Sequence, residues 1–344
     1  MSTGSQFLCA MPKAELHMHL DGALSPALML ELAERNRVKL PYETLEQVEA
    51  AYQFTSLQSF LDLLYQGASV LRDERDYYDL TYRYLLRCRQ ENVLHTEPSF
   101  DPQTHTERGI PFETVLEGTR AAMRDAGREW GQSSLLVMDF LRHLSAESAM
   151  RTLEAALPYR DEIVAVGLDS SELGNPPSKF SDVFARARAQ GVQGGGARGG
   201  GGAAGLRVGG DPPARRAARR SRRALRRSVE DPVLVRYLRE QQLPLTVCPL
   251  SNVRLGVFES LADHDVLRLL EEGLCVTINS DDPEYFGGYV NANYLALAEQ
   301  LDMSTEQALR LAQNGFRASV LSEAEKARFQ QQLSAFAREH PDLS

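Results

Sequence analysis

Strand-like and helical segments alternate along most of this 344-residue chain. Apolar and β-branched runs predict six strands, at about residues 13–20, 92–100, 134–141, 163–169, 243–249 and 274–280. Helical spacing predicts intervening helices at about 112–129, 146–157, 178–190, 232–241 and 263–272. Such alternation is typical of a parallel sheet with crossover helices. Six strands are two short of a (β/α)₈ barrel.

Helical sequence is also found outside this alternation. Residues 42–90 have helical spacing almost throughout, and two further helices are predicted at about 289–321 and 323–338. The first of these regions directly follows the first predicted strand. It could therefore form a lid or a wall over a pocket at the end of that strand.

Polar side chains stand where the predicted strands end. They are His17, His19, Glu97, Asp169, Ser251, Asn252, Asp281 and Asp282. The carboxyl ends of barrel strands converge on one mouth, where catalytic residues are found. Four other histidines lie away from the strand ends, and we do not expect them at a metal: His105, His143, His264 and His340.

Two histidines stand one residue apart in the first predicted strand, which reads Lys13-Ala-Glu-Leu-His-Met-His-Leu-Asp-Gly22. Side chains alternate between the two faces of a strand, so His17 and His19 point the same way and could grip one metal ion. On a helix the same spacing would splay them by about 200°. Two unrelated histidines are the alternative interpretation of such a short pattern.

Two adjacent carboxylates, Asp281 and Asp282, follow the last β-branched run and precede Pro283. Adjacent acids at the end of a buried strand repel each other, although a simple Asp-Asp-Pro turn is also compatible with the sequence. A cation would accept one carboxylate and leave the other free to hold a substrate. Tyr285 and Phe286, just beyond, are expected to pack in the interior, although they could flank a flat base.

Composition excludes several classes of protein. The net charge of −9 disfavours nonspecific nucleic-acid binding. No apolar run is long enough for a membrane helix, and no export signal is visible, so we expect a cytoplasmic protein without a membrane partner. The four cysteines lack Cys-x-x-Cys spacing, which argues against a disulfide framework or a thiolate zinc site.

Several motifs together resemble the adenosine/adenine deaminase family of zinc hydrolases. They are Glu15-Leu-His-Met-His-Leu-Asp-Gly22, Cys248-Pro-Leu-Ser-Asn252 and Ser280-Asp-Asp-Pro283. The stretches 97–106 and 167–177 resemble the bacterial and fungal adenine deaminases more than the adenosine deaminases. The resemblance runs from about residue 11 to about 340, with one gap.

The resemblance implies a fold, a cofactor and a reaction. The fold would be one TIM-type (β/α)₈ barrel domain over residues 1–344, with extra helices after strand one and at the C-terminus. One Zn²⁺ would be held by His17, His19 and Asp281, and Asp282 would hydrogen-bond N7 of a purine. The reaction would be hydrolysis of adenine to hypoxanthine and ammonia in purine salvage. Deamination of adenosine to inosine is the alternative, and oligomeric state cannot be read from the sequence.

Residues 191–228 break the pattern, since 11 of these 38 residues are Gly and 10 are Arg. The segment stands where strands five and six of the barrel are expected, so both would be disrupted. The family has there a His-Ala-Gly-Glu-Glu motif and, 24 residues later, an Asp-His-Gly motif. The fourth zinc ligand, the glutamate that protonates the purine and the histidine that orients water are therefore absent, replaced within 197–222. A flexible or RNA-binding Arg-rich linker is an alternative interpretation.

A shifted reading frame would explain this segment. Residues 197–205 can be encoded so that reading one base later gives His-Ala-Gly-Glu-Glu, and residues 220–225 so that it gives Asp-His-Gly. The hidden histidines begin in the codons of Ala197 and Ser221, which are 24 apart as in the family. Two compensating frame changes, near Gly191 and Arg226, would keep the flanks in register. As written, the chain is expected to be an impaired deaminase, or a catalytically silent zinc- or purine-binding relic.

Overall fold

Ten short strands form three sheets in the computed structural model, which describes residues 3–54, 57–171, 174–194, 205–206 and 232–340. Numbered in chain order, they are β1 (Lys13–Glu15), β2 (Val93–Thr96), β3 (Ser99–Phe100), β4 (Ser133–Ser134), β5 (Leu136–Leu141), β6 (Ile163–Asp169), β7 (Gln193–Gly194), β8 (Gly205–Leu206), β9 (Leu245–Val247) and β10 (Val276–Ile278). β2 and β3 are successive parts of one strand region, as are β4 and β5. Eight of the ten strands agree in position with the six predicted strands, whereas β7 and β8 correspond to none of them.

The sheets have the orders β1-β2-β4, β3-β5-β6-β7 and β10-β9-β8. All pairs are parallel except β8 with β9. The parallel bridges Met18↔Asp281 and His19↔Ser99 connect the three sheets just beyond the end of β1. The described strands therefore follow one another without a break from β9, through β10 and β1, round to β7.

Helices cover the strands and fill the long connections. They are α1 (Thr3–Ala10), α2 (Pro26–Arg35), α3 (Leu45–Ala51), α4 (Leu57–Ala68), α5 (Glu74–Gln90), α6 (Pro102–Thr106), α7 (Phe112–Trp130), α8 (Ala146–Ala156), α9 (Ser181–Ala189), α10 (Pro232–Gln241), α11 (Pro249–Arg254), α12 (Val266–Glu271), α13 (Pro283–Phe286), α14 (Val290–Gln300), α15 (Thr305–Ala318) and α16 (Glu323–Glu339). The predicted helical region after the first strand is confirmed as α3, α4 and α5. Ser25 caps α2 as its sequence suggests, by accepting a hydrogen bond from the Leu28 backbone N–H.

One continuous hydrophobic core extends from Phe7 to Leu333. The apolar partners of the histidines in the first strand, Leu16, Met18 and Leu20, are fully buried in it. Tyr285 and Phe286 also pack there: Tyr285 stacks on Tyr52 at 4.4 Å between ring centroids. In the described part of the chain, no helix is both long and apolar enough to cross a membrane.

The segment 191–228 lies mostly outside the described residues. Its beginning is described: Gln193 and Gly194 form β7, which pairs in parallel with β6 as a fifth barrel strand would. Gly205 and Leu206 form β8, which pairs antiparallel with β9, unlike a barrel strand. The replaced catalytic motifs predicted within 197–222 fall outside the described residues, apart from this pair.

Candidate active site

Backbone hydrogen bonds connect the early segment that contains His17 and His19 to the late segment that contains Asp281, the predicted metal ligands. Asp281 donates its N–H to the carbonyl of His17 at 3.1 Å, and His19 donates its N–H to the carbonyl of Asp281 at 2.9 Å. Asp281 has a φ of +65°, a left-handed conformation that is uncommon outside glycine and is often found at functional sites. This ladder brings residues 264 positions apart in the sequence into direct contact.

Three buried ligand atoms converge within this seam. Nε2 of His17 and Nε2 of His19 each lie 3.4 Å from Oδ1 of Asp281. None of these three atoms has a hydrogen-bond partner among the described residues, although all are buried. A buried polar atom without a partner is costly, so three of them around one point fit a cation that they would share. The predicted trio is therefore brought together.

Two of the three predicted ligands are held from behind by a second side chain. Thr246 Oγ1 lies 3.0 Å from Nδ1 of His17, and Ser251 donates from Oγ to Oδ2 of Asp281 at 2.6 Å. These contacts leave His17 Nε2 and Asp281 Oδ1 facing the centre, as a metal site requires. Burial opposes ionisation of Asp281, but the two imidazoles outweigh it and hold the pKa of this carboxyl below its usual value.

Asp282 lies beside the trio and is also buried. Burial, followed by the charge of Asp281, raises the pKa of Asp282 well above its usual value. Oδ1 of Asp282 has no hydrogen-bond partner among the described residues. Gly22 packs directly on this side chain, because a Cβ at position 22 would lie 2.3 Å from Asp282 Oδ1. Asp282 is thus a protonatable group with an open hydrogen-bonding position.

Two further side chains fasten β1 to β10, and sequence reasoning missed their role. Glu15 accepts hydrogen bonds from the backbone N–H and the hydroxyl of Ser280, and from the Tyr84 hydroxyl at 2.7 Å. Asn279 accepts at Oδ1 from the backbone N–H of Leu16 at 2.8 Å. Each residue stands two positions before a predicted ligand, so the two side chains fix the register in which His17 and Asp281 meet.

A second acidic group faces the other edge of His19. Oδ2 of Asp101, Asp139 and Asp169 lies 3.7, 4.0 and 3.7 Å, respectively, from His19 Nδ1. Asp169 was predicted from its place at a strand end, whereas Asp101 and Asp139 were not singled out. Asp101 follows β3 and Asp139 lies inside β5, and this position relative to the strands was the one sequence signal that could have identified them.

A polar cluster borders the mouth from the side of α4. Ser170, which has a φ of +77°, lies within 3.0 Å of the Tyr65 hydroxyl and 2.8 Å of His143 Nδ1. Asp169 precedes Ser170 in the chain, so this cluster is continuous with the acidic group. Tyr65 belongs to α4, in the helical region after strand one. Its contact with Ser170 supports the prediction that this region forms a wall of a pocket.

The four histidines that the sequence placed away from the strand ends have partners away from the trio. His105 lies 3.2 Å from Asp21, His264 contacts the side chain of Asn252, and His340 contacts the carbonyl of Phe336. His143 contacts Ser170, as described above. None of the four belongs to the groups of possible metal ligands found in the described part of the chain.

Known proteins match this chain over nearly its whole length. The family model described as Adenosine deaminase matches residues 12–336. An adenine deaminase of Hahella chejuensis is 50% identical over 342 residues, covering 97% of this chain and 99% of that protein. An adenine deaminase of Bordetella avium is 54% identical over 324 residues, covering 92% and 99% of the two chains.

Solved structures are similar as well. The crystal structure of an adenine deaminase from Arthrobacter aurescens matches with a TM-score of 0.85 and 40% identity, covering 96% of this chain and all of that one. An amidohydrolase from Burkhoderia ambifaria, whose structure is described as having bound Zn, matches with a TM-score of 0.83 at 21% identity and covers 98% and 95%. At that identity the second match shows a shared fold only.

Proposed function

This chain belongs to the adenosine deaminase family, and we propose that it is a zinc-dependent aminohydrolase that converts adenine to hypoxanthine and ammonia. The observation that carries the chemistry is the convergence of three buried atoms, from His17, His19 and Asp281, that have no hydrogen-bond partner in the described part of the chain. The choice of adenine rests on the curated adenine deaminases that share about half of this sequence. Adenosine is the less favoured substrate.

His17, His19 and Asp281 would hold one zinc ion. Their donor set of two imidazoles and one carboxylate suits zinc, and leaves room for further ligands. Zinc would supply the nucleophile near neutral pH, because it lowers the pKa of a water molecule to about 7. Thr246 and Ser251 would keep the ligand atoms aimed at the centre.

Asp282 would orient the purine. Burial and the neighbouring Asp281 raise the pKa of this carboxyl, which favours the protonated form that can donate a hydrogen bond. In adenine with its imidazole hydrogen on N9, N7 is an acceptor, and it is the atom that the family resemblance assigns to Asp282. Because Gly22 has no side chain, the Asp282 side chain can occupy this position without a steric clash.

The proposal extends to the barrel. We infer that the three sheets are arcs of one (β/α)₈ barrel, in a single domain, with β7 as the start of strand five. The segment 191–228, which we propose to be frame-shifted, would then fall on the rest of strand five and on strand six. This inference is supported by the two bridges that join the arcs and by the fold of the solved relatives.

A second candidate function is supported by the sequence as written. Residues 197–222 contain neither Glu nor His, so the motifs that supply the acid and the water-orienting histidine in the family are missing. Such a chain would bind zinc and purine without turning the purine over. A missing general acid alone costs roughly 10²–10⁴ in rate.

Ammonia release from adenine decides between the two candidates. We expect a chain with the restored His-Ala-Gly-Glu-Glu and Asp-His-Gly motifs to release ammonia from adenine, and the chain as written to be at least about 10²-fold slower. In the restored chain, His17→Ala and Asp281→Ala are each expected to remove bound zinc and activity together. His340→Ala is the matched control and should keep both. Full activity in His17→Ala or Asp281→Ala would refute the assigned centre.

A further inference from the structure

Asp21 and His105 form a buried pair at the mouth that the proposed reaction does not use. Asp21 is 8% exposed and His105 is 1% exposed, and Oδ2 of Asp21 lies 3.2 Å from Nε2 of His105. Asp21 begins a short 3₁₀ turn, Asp21–Ala23, two residues after His19. His105 lies in α6, just beyond β3. The bridge between His19 and Ser99 holds these two strand ends side by side.

The hydrogen on the His105 ring can be placed, because Arg108 contacts its other nitrogen. Nη2 of Arg108 lies 2.8 Å from Nδ1 of His105. A guanidinium can only donate, so Nδ1 accepts and Nε2 carries the ring hydrogen, beside the carboxylate of Asp21. Arg108 is itself fixed, because it donates from Nε to the carbonyl of Thr104 and from Nη2 to the carbonyl of Ala68. This chain of contacts holds Asp21 in one position.

Asp21 borders the mouth on the side of Asp282. Gly22, the next residue in the chain, packs directly on the Asp282 side chain. Burial raises the pKa of the Tyr65 hydroxyl, and the charges of nearby carboxylates that include Asp169 and Asp21 add to this shift. Both carboxylates therefore lie within electrostatic reach of the Tyr65 hydroxyl, which belongs to the wall of the mouth.

The carboxylate of Asp21 can accept more hydrogen bonds than His105 supplies. The contact with His105 involves Oδ2 alone. Each oxygen of a carboxylate has two lone pairs, so the side chain retains the capacity to accept from a ligand. Asp21 is thus a positioned acceptor next to the group that is proposed to orient the purine.

The orientation of the purine in the proposed function decides which of its atoms faces Asp21. C6 lies at the metal centre, because the amino group is lost there, and N7 lies at Asp282. N9 follows N7 round the five-membered ring after one carbon, and points away from C6. The other carboxylates near the mouth contact His19 and lie beside the metal centre instead. Asp21, next to Gly22, is therefore the carboxylate that is placed for N9.

We propose that Asp21 selects free adenine over nucleosides by accepting a hydrogen bond from N9–H, and that His105 is the residue that positions it. This inference rests on the proposed function. A nucleoside has a sugar on N9 and no hydrogen there, so it leaves the carboxylate without this bond and meets a side chain that is held in place. A site built to bond a substrate N–H rejects an analogue without it, here by at least about 10²-fold.

9-Methyladenine is the probe, because it lacks the hydrogen on N9 and keeps N7 and the amino group. Dissociation constants are measured by equilibrium dialysis on the zinc-loaded chain as written, and kcat/KM is measured on the restored chain. Adenine should be favoured by at least about 10²-fold in both. A preference of less than about tenfold would overturn the inference, while ammonia release from adenine would still support the proposed function. Absence of adenine turnover in the restored chain would refute the proposed function, and this inference with it.

Asp21→Asn assigns the preference to its residue without changing the size of the side chain. The amide oxygen is expected to face the N–H of His105, so the amide NH₂ group faces N9–H. In the restored chain, kcat/KM for adenine should fall roughly tenfold to a hundredfold, and that for 9-methyladenine should change little. Asp161→Asn, at an exposed position, is the matched control and should change neither. An unchanged ratio between the two purines in Asp21→Asn would contradict the assignment.

Two variants of His105 test its positioning role. His105→Phe keeps a ring and removes the N–H beside Asp21, so the preference for adenine over 9-methyladenine should fall. His105→Gln retains a donor and should restore part of the preference. A purely structural role would weaken both purines equally in His105→Phe, and that result would overturn the role given to His105.

Discussion

At the scale of single residues, the position of Asp282 depends on the absence of a side chain at Gly22. A Cβ there would lie 2.3 Å from Oδ1 and 2.5 Å from Cα of Asp282, and the backbone atom cannot move aside easily. Gly22→Ala is therefore expected to destabilise the fold by about 1–3 kcal/mol and to displace Asp282. Urea unfolding measures the first effect, and adenine binding by calorimetry measures the second.

Gly127→Ala provides the comparison. Gly127 lies within helix α7, where an added Cβ would meet only an ordinary contact at 3.6 Å from the carbonyl of Gln132. This change should stabilise the protein by roughly 0.5–1 kcal/mol, because glycine is unfavourable inside a helix. Equal stability changes in the two variants would contradict the role given to Gly22.

Glu15 makes stability depend on pH in a definite direction. Burial raises the pKa of Glu15 to about 7, partly opposed by its hydrogen bonds to Ser280 and Tyr84. The folded state then holds a proton that the unfolded chain releases near pH 4.5. Stability from this group is full below pH 4.5 and is lost as the pH rises to about 7, by an amount on the order of 3 kcal/mol.

The pH dependence of Glu15 is measured as a difference. Unfolding free energies of the wild type and Glu15→Gln are compared between pH 5 and 7.5. The wild type should lose stability relative to the variant as the pH rises, because glutamine does not titrate. The exposed Glu34→Gln should follow the wild type. A difference that is constant with pH would refute a raised pKa at Glu15.

At the scale of elements, a single lysine closes the C-terminal end of helix α1. Lys13 is completely buried, and its Nζ donates to the carbonyls of Leu8 at 2.9 Å, Cys9 at 3.3 Å and Met11 at 2.5 Å. The last carbonyls of a helix have no partner within it, so this side chain satisfies buried carbonyl groups at the end of α1, one of which, that of Cys9, also accepts from Asn291 at 3.5 Å. Lys13 also begins β1, and so ties the helix to the strand that leads to His17.

Lys13→Met keeps the apolar stem and removes the donor. We expect a loss of about 2–3 kcal/mol in the free energy of unfolding, because the buried carbonyls lose their partner. Faster amide hydrogen exchange in α1 should accompany this loss. The control, Lys39→Met at an exposed position, should change the free energy of unfolding little. An equally small change in Lys13→Met would show that the carbonyls find other partners.

At the scale of the whole molecule, the chain as written is expected to fold poorly. A barrel closes only when every strand has two neighbours, since open edges expose unpaired N–H and C=O groups. The segment 191–228 has no Ile, Phe or Tyr and ten Arg, so it is unsuited to buried strands. Thermal unfolding should be broad for this chain and sharp for the restored one. A sharp transition in the chain as written would contradict this expectation.

The coding DNA provides the test of the cause. We predict one inserted or deleted base near codon 191 and an opposite change near codon 226. The intervening frame should then encode both missing motifs. A DNA sequence in which no alternative frame contains the two motifs would rule out the frame-shift hypothesis, and would leave the Gly- and Arg-rich segment as a real feature of the protein.

Much of the fold and the central trio could be predicted from sequence because their signals are local. Strands and helices follow from the spacing of apolar residues along a few turns or a few strand positions. The alternation of His17 and His19 is likewise a property of one strand. The family resemblance then added Asp281, whose contact with His17 depends on two chain ends meeting.

Only the tertiary structure decided which side chains support these predicted ligands. Glu15 and Ser280 meet across 265 positions, and Thr246 reaches His17 across 229, so no local pattern links them. The group of Asp101, Asp139 and Asp169 near His19 has the same origin, because these residues lie in or just after strands that are adjacent in the sheet and distant in the chain. Sequence determined the elements and the chemistry of the strand ends. The pairing of the strands decided which of these groups lie together in one buried space. Strand pairing depends on contacts between residues far apart in the chain, which no local pattern encodes.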